Sequence, residues 1–420
     1  MHAGRPLRIV LTSYRSKPHC GGQGVYVRHL SRELAALGHR VEVLSGQPYP
    51  ELDRDDITLT RLPSLDLYAD EDPFRNPRLA EFRDWIDVAE WAYMRTGGFP
   101  EPLTFSWRAL RELRGRIGRI DVVHDNQTLG YGMLRLRRTG VAMVTSIHHP
   151  ISQDRRIAID AASGGLARFG ARRWYGFVRM QGRVARRCGR ILTVSETSKA
   201  SIASDFHVDA RHIAVVALGV DTSVFKPPAG EGDRVAGRVI AVASADTPLK
   251  GVDVLLRAIA KAATERDIHL HLVGQVRPDG PIFRLIGELG IADRVTVLSG
   301  LSDTELAGQL ASAEIAVVPS RYEGFSLPAL EFMACGTPLI ATTAGALPEV
   351  TGEAATLVER GDAEQMAAAL RRLHDSPGER ERLRAAGLAR VAQRYTWAAV
   401  ARATEQQYRA ELAVKAAGRC

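Results

Sequence analysis

The sequence is sparing with cysteine, has no long apolar run, and carries fewer acidic than basic residues. Its four cysteines, Cys20, Cys188, Cys335 and Cys420, are scattered over 420 residues. Without metal-ligand spacing they read as free thiols in a reducing compartment. No stretch approaches the length of a membrane-spanning helix. The N-terminus runs almost directly into an apolar strand, with no signal-peptide core or cleavage site, so the expected location is cytoplasmic. With 56 Lys and Arg against 48 Asp and Glu, the net charge is +8, which suits a polyanionic ligand, nucleic acid or an acidic membrane surface. Zinc-finger spacing, an RNA-binding aromatic signature and heptads are all missing, so no nucleic-acid partner is expected.

What is present is an ordinary globular composition, 45% hydrophobic and 25% charged, in a chain long enough for at least two domains. Apolar runs rich in Val and Ile alternate with helical patterns throughout, which predicts an α/β protein with parallel sheets covered by helices. Residues 7–13 read as a strand, and 21–24 as a glycine-rich turn. Val27, Leu30, Leu34 and Leu37 then form one helical face that stops at Gly38. Further strands are expected at 40–45, 122–124, 142–148, 190–194 and 213–218. The stretch 226–238, KPPAGEGDRVAGR, has linker composition. Beyond it the alternation restarts, with strands at 239–243, 269–273, 294–298, 314–319 and 338–341 and helical patterns from 362 onward.

The expected organisation is an N-terminal domain over 1–220, a linker over 221–238 and a second domain over 239–393. A C-terminal helix over 394–420 would pack back toward the first domain. Two doubly wound, Rossmann-like domains facing a central cleft would bind ligands at their strand C-terminal ends. Residues 47–105, rich in Pro, Asp and aromatics, break the rhythm. They read either as an acceptor-recognition insertion or as a structural loop.

The strongest chemical signal is PSRYEGFSLPALEFMACG at 319–336. Glu323, Gly324 and Phe325 belong to a loop after a buried strand, and Pro328 suits the first position of a helix. Glu331 would then fall in its first turn, and the free amides near Ser326 and Leu327 would form a phosphate seat. Carboxylates on either side of that seat can hold hydroxyls at both ends of a nucleotide sugar. Read without a function, Glu331 favours the helix dipole and Glu323 is a solvated loop residue.

This segment resembles the E-x7-E signature of retaining GT-B glycosyltransferases of family 4 (glycosyl transferases group 1). The similarity extends through GGQGVYVRHLSRELAALGHRVEVLSG, ILTVSETSKASI, GVDTSVFKP, PLKGVDVLL and CGTPLIATTAGALPEV to the Tyr395/Trp397 pair. The resemblance implies a GT-B fold and transfer of a hexosyl group from a nucleotide-diphosphate sugar to an unidentified acceptor hydroxyl, with retention. It places Glu323 at a sugar hydroxyl near the reacting carbon, Glu331 at the ribose, and Lys250 at the diphosphate. Gly22 and Gly24, with Gly21, match the loop near diphosphate and acceptor, where missing side chains allow close approach. His148 matches a strand-end position near the acceptor hydroxyl, with His149 its rival. His124, Asp125 and Asn126 end another strand on the same side and are further acceptor-side candidates.

The family pattern also places an Arg about five residues before the Lys, where this chain reads Ser244-Ala245-Asp246-Thr247-Pro248-Leu249-Lys250. Either another basic residue takes that place, or the diphosphate is held with less charge. The D-x-D stretches Asp53-Arg54-Asp55 and Asp70-Glu71-Asp72 lie in the irregular segment rather than at strand ends, so neither a metal nor another cofactor is expected. Rival readings are a nucleotide-sugar epimerase, another GT-B enzyme, or a non-catalytic sugar-nucleotide binding protein. Finally, 168–190 holds eight arginines and no acidic residue, with Trp174, Phe177, Met180 and Val184 at helical spacing. It reads either as a core helix or as a contact with anionic lipid or a lipid-linked acceptor at the inner membrane face.

Overall fold

The computed structural model describes residues 5–17, 22–69, 71–228, 230 and 234–417. Gly21, Cys20, Cys420, Asp70 and part of the expected linker lie outside the described residues. The chain divides into two compact units. The first comprises 1–194, 198–216 and 400–420; the second comprises 195–197 and 217–399.

The first unit is built on a seven-stranded sheet: β1 (Arg8–Ser13), β2 (Arg40–Ser45), β3 (Thr58–Arg61), β4 (Val122–Asn126), β5 (Ala142–Ser146), β6 (Arg190–Thr193) and β7 (Ile213–Val215). Every pairing is parallel, and the strand order is β3-β2-β1-β4-β5-β6-β7. Strands β4 and β5 are buried along their whole length, as expected of central parallel strands covered by helices on both faces. The order reverses between β1 and β4, where Ser13 lies opposite Asn126. Such a reversal opens a crevice at the strand C-termini because successive crossovers leave to opposite sides.

The second unit repeats the design with six parallel strands: β8 (Val235–Val242), β9 (His269–Val273), β10 (Val295–Leu298), β11 (Ala313–Val318), β12 (Leu339–Thr342) and β13 (Ala355–Val358). Their order is β10-β9-β8-β11-β12-β13, so the reversal falls between β8 and β11. Its core joins Val239, Ala241, Leu255, Ile259, Leu270 and Val317. The helix at Trp397–Ala417 begins within this unit, but its residues from Val400 onward belong to the first.

Several expectations need correction. Gly22 opens the Gly22–Ala36 helix, so Gly22 and Gly24 are helical rather than part of a turn. β8 starts at Val235, inside the stretch read as linker. Strands β3 and β13 were missed because both are short and border polar turns. Residues 47–105 hold β3 and a helix at Trp85–Arg95, and run into another at Glu101–Leu113. Buried Arg108 ties this segment down, meeting Asp87 Oδ1 and Glu90 Oε2 at 2.6 Å each. Glu90 also accepts from Thr104 Oγ1 at 3.0 Å. A buried charge with several partners is costly to disrupt, so this cluster anchors the Trp85–Arg95 helix to the Glu101–Leu113 helix.

The basic segment is likewise reorganised. It forms two helices, Gly165–Trp174 and Phe177–Ala185. Phe177, Met180 and Val184 are core residues, while Trp174 packs edge-on against Tyr68. The apolar stripe is therefore already covered by protein. Several arginines are also committed: Arg173 lies over the Tyr93 ring, and Arg186 donates to the Phe206 carbonyl. Among the described residues, no helix is long and apolar enough to cross a membrane.

Candidate active site

In the second unit, the loops after β8 and β11 flank the strand-order reversal. The β8 loop closes through Gly251, whose φ of +66° is left-handed. A Cβ there would lie 2.1 Å from the Pro319 carbonyl oxygen, so glycine is needed both for the turn and for the approach. Arg321 fastens the same contact. Its N–H donates to the Leu249 carbonyl at 2.8 Å, and its guanidinium to the Pro248 carbonyl and both Asp253 carboxylate oxygens at 2.7 Å each. The product is a short ion pair, Lys250 Nζ to Glu323 Oε1 at 2.6 Å. Ser320 Oγ donates to the same oxygen at 2.9 Å. Lys250 is about one-third exposed and Glu323 mostly covered, so the pair is fixed yet reachable from solvent.

The Leu327–Ala334 helix follows, with Pro328 as its second residue rather than its first. Ser326 caps it from a left-handed conformation at φ +90° and accepts the Ala329 N–H at 3.3 Å. A non-glycine residue there is strained. Gly324 and Phe325 bridge Glu323 to this cap, and Phe325 is buried edge-on against Tyr395. Glu331 is the fifth helical residue, not part of the first turn. Its carboxylate has no hydrogen-bond partner among the described residues, and lost hydration, aided by the charge of Asp303, pushes its pKa up to about 7. Desolvated and unpaired, it is free to accept ligand hydroxyls.

The arginine expected before Lys250 has no counterpart in its own loop, where Ala245 is 3% exposed and belongs to the core. Arg277, in the loop after the neighbouring β9, lies beside this loop, and its N–H and Nε donate to Asp246 Oδ2 at 2.9 and 3.2 Å. Sequence reading missed this residue because nothing in its local pattern links it to the β8 loop.

In the first unit the acceptor-side candidates separate into distinct roles. His148 follows β5 and is half-buried. Its Nε2 lies 2.7 Å from Asn126 Oδ1, and its backbone N–H donates to Gln127 at 2.8 Å. Asn126 Nδ2 donates to Ser13 Oγ at 3.4 Å, so Asn126 Oδ1 is the acceptor for His148 Nε2–H. That tautomer leaves Nδ1 as a free lone pair, without a partner among the described residues. Burial lowers the His148 pKa to about 4, so the ring is neutral near pH 7.

Of the acceptor-side candidates, His124 and Asp125 are fully buried. His124 Nδ1 meets the Tyr408 hydroxyl at 2.6 Å, and Nε2 meets Ser146 Oγ at 2.7 Å. Ser146 continues to the Tyr26 hydroxyl at 3.2 Å, and the Tyr26 ring packs edge-on against His148 at 4.4 Å. His124 thus links the C-terminal helix to the support beneath His148. Asp125 accepts the Thr128 and Leu129 N–H groups at 3.2 and 2.9 Å, which shapes the loop after β4. His149 faces Asp154 at 3.1 Å, and its carbonyl accepts from Gln127. Gly24 approaches the backbone closely: a Cβ would sit 1.9 Å from the Lys17 carbonyl oxygen.

Comparison with known proteins agrees with the two-sheet architecture. Residues 20–224 match the model described as Glycosyltransferase Family 4, and residues 236–376 match Glycosyl transferases group 1. An MMP alpha-(1->4)-mannosyltransferase from Mycolicibacterium hassiacum is 54% identical over 98% of this chain and 100% of that protein. The chain is a family 4 glycosyltransferase. Solved structures extend the likeness to the GT-B fold. Sucrose-phosphate synthase from Thermosynechococcus elongatus superposes with a TM-score of 0.71 at 22% identity, covering 97% of this chain and 99% of that one. HepE from Anabaena, in complex with UDP and glucose, gives 0.68 at 14% identity over 96% and 99% of the two chains. The family 4 enzyme described here keeps a carboxylate–lysine pair and an open carboxylate at the reversal point of its second sheet.

Proposed function

We propose that this glycosyltransferase moves a mannosyl group from a nucleoside-diphosphate mannose to the 4-hydroxyl of an acceptor mannoside, with retention. The 54% identity to an alpha-(1->4)-mannosyltransferase over nearly the full length of both chains carries this reading. In it, Glu331 accepts ribose hydroxyls, and amides at the start of the Leu327–Ala334 helix hold phosphate oxygens. Lys250 neutralises the diphosphate as the bond from C1 to the phosphate oxygen breaks, the role a cation would otherwise fill. Arg277 supplies a second positive group in place of the missing arginine. Glu323, oriented by Lys250 and Ser320, contacts a hydroxyl of the transferred sugar.

The new bond joins C1 to the acceptor oxygen on the face the leaving group vacates, which preserves configuration. The acceptor proton passes to the departing phosphate oxygen. His148, neutral with Nδ1 open, accepts a hydrogen bond from the acceptor hydroxyl and orients it.

Thermal-shift screening of GDP-, UDP- and dTDP-sugars identifies the donor, since a ligand that binds the folded state raises its melting temperature. Incubation of the stabilising donor with methyl α-mannoside, followed by NMR of the product, then tests the chemistry. An α-(1→4) linkage is expected. A free sugar or an isomerised donor would replace transferase with hydrolase or epimerase, and donor binding without turnover would indicate a binding protein.

A further inference from the structure

The helices at Trp85–Arg95, Glu101–Leu113 and Tyr131–Arg138 enclose a hollow of about 340 Å³ on the first unit. Its lining includes Trp85, Trp107, Leu110, Arg111, Arg114 and Arg135. Trp85 is 62% exposed, an unusual position for the largest apolar side chain. The Trp85 and Trp107 rings lie 4.9 Å apart, tilted by 43°. Trp85 opens a helix capped by Asp84, which accepts the Ile86 N–H at 2.8 Å and is ion-paired with Arg111. The platform is therefore fixed at its base. Arg114 and Arg135 stand at the rim, and their guanidinium groups have no partner among the described residues.

We propose that this hollow is a second carbohydrate-binding site, which holds a pyranose of a neutral glycan away from the reacting groups. The chemistry of the walls selects that ligand. The axial C–H face of a pyranose is apolar and packs on indole, while its equatorial hydroxyls accept hydrogen bonds from guanidinium groups. The two indoles touch each other at an angle, so they form a corner and not the parallel slot that a nucleobase would enter. The volume lies within the usual range for small-ligand sites. A second copy of the chain is a poorer occupant, because a two-fold contact through this hollow would bring the same arginines face to face. The inference rests on the reading of the acceptor as a glycan. It assigns the hollow to residues of a longer acceptor that are remote from the hydroxyl being glycosylated.

The test uses the full chain and α-(1→4)-linked mannotetraose. Calorimetric titration should give saturable binding, weakened about tenfold in Trp85→Ala and measurably in Arg114→Ala, and retained in His148→Ala. In transfer assays, Trp85→Ala should leave turnover of methyl α-mannoside unchanged and raise KM for the tetraose about tenfold. Equal tetraose affinity in wild type and Trp85→Ala overturns the site, as does the absence of tetraose binding. Conversion of a dimer to a monomer by Trp85→Ala in sedimentation, with tetraose affinity unchanged, assigns the hollow to self-association and also overturns it. Trp85-dependent binding without mannosyl transfer would sustain the site and remove the proposed activity instead.

Discussion

Lys250 and Glu323 are separated by 73 residues in sequence, yet their side chains form a 2.6 Å ion pair across the reversal point of the second sheet. The pair depends on Gly251 passing against the Pro319 carbonyl and on Arg321 holding the Pro248–Lys250 turn.

Removal of either partner should damage chemistry more than binding. Lys250→Ala and Glu323→Ala are each expected to lower kcat by a factor on the order of a hundred, as for other lost transition-state contacts. Steady-state kinetics with saturating donor provide the measurement. Near-normal turnover in both variants would detach this pair from the reaction.

Donor affinity should depend on pH through Glu331. Its carboxyl titrates near 7 because burial disfavours the charge, and the ionised form is the better acceptor for ribose hydroxyls. Nucleotide affinity should therefore rise between pH 6 and pH 8, roughly one unit either side of that value. Glu331→Gln should bind more weakly at pH 8 with the slope flattened. Calorimetry across this range decides it, and an unchanged slope in the variant would assign the dependence to another group.

Stability should fall in mild acid through the buried histidines. His124 and His148 are lowered to about 3 and about 4 from an ordinary value of 6.5. Below pH 6.5 the unfolded chain takes up protons that the native state does not accept until near pH 4. The contribution of these two histidines to the unfolding free energy is thus level above 6.5 and declines as the pH drops toward 4. Tyr408→Phe, which orphans His124 Nδ1, should cost about 1–3 kcal/mol in urea denaturation at neutral pH. It should also lower kcat through misplacement of His148, with donor affinity intact. A loss of stability alone would confine the Tyr408–His124 link to folding.

The phosphate site should respond at Arg277 and not at Ala245. Arg277→Ala is expected to weaken nucleotide binding several-fold, in keeping with an exposed charge contact of roughly 1 kcal/mol. Ala245→Arg, attractive from sequence alone, would force a guanidinium into the apolar core to which Ala245 belongs and should lower the melting temperature sharply. Tighter donor binding by a stable Ala245→Arg protein would reverse both assignments.

The sequence by itself determined the alternating architecture and the strand–loop–helix segment that carries Glu323 in its loop and Glu331 in its helix. Each is written in local periodicity and in a strand–loop–helix order that places loops at the strand C-terminal edge. Short strands such as β3 were not legible, since four residues beside polar turns carry little pattern. The tertiary structure alone decided which histidine is open. His124, His148 and His149 all sit at strand ends, but only the packing shows His124 sealed by Tyr408, 284 residues away. It also placed Arg277 beside the β8 loop and joined Trp85 to Trp107 through the packing of separate helices. These relations depend on strand order and helix packing between distant segments, where no local propensity or spacing records which side chains will meet.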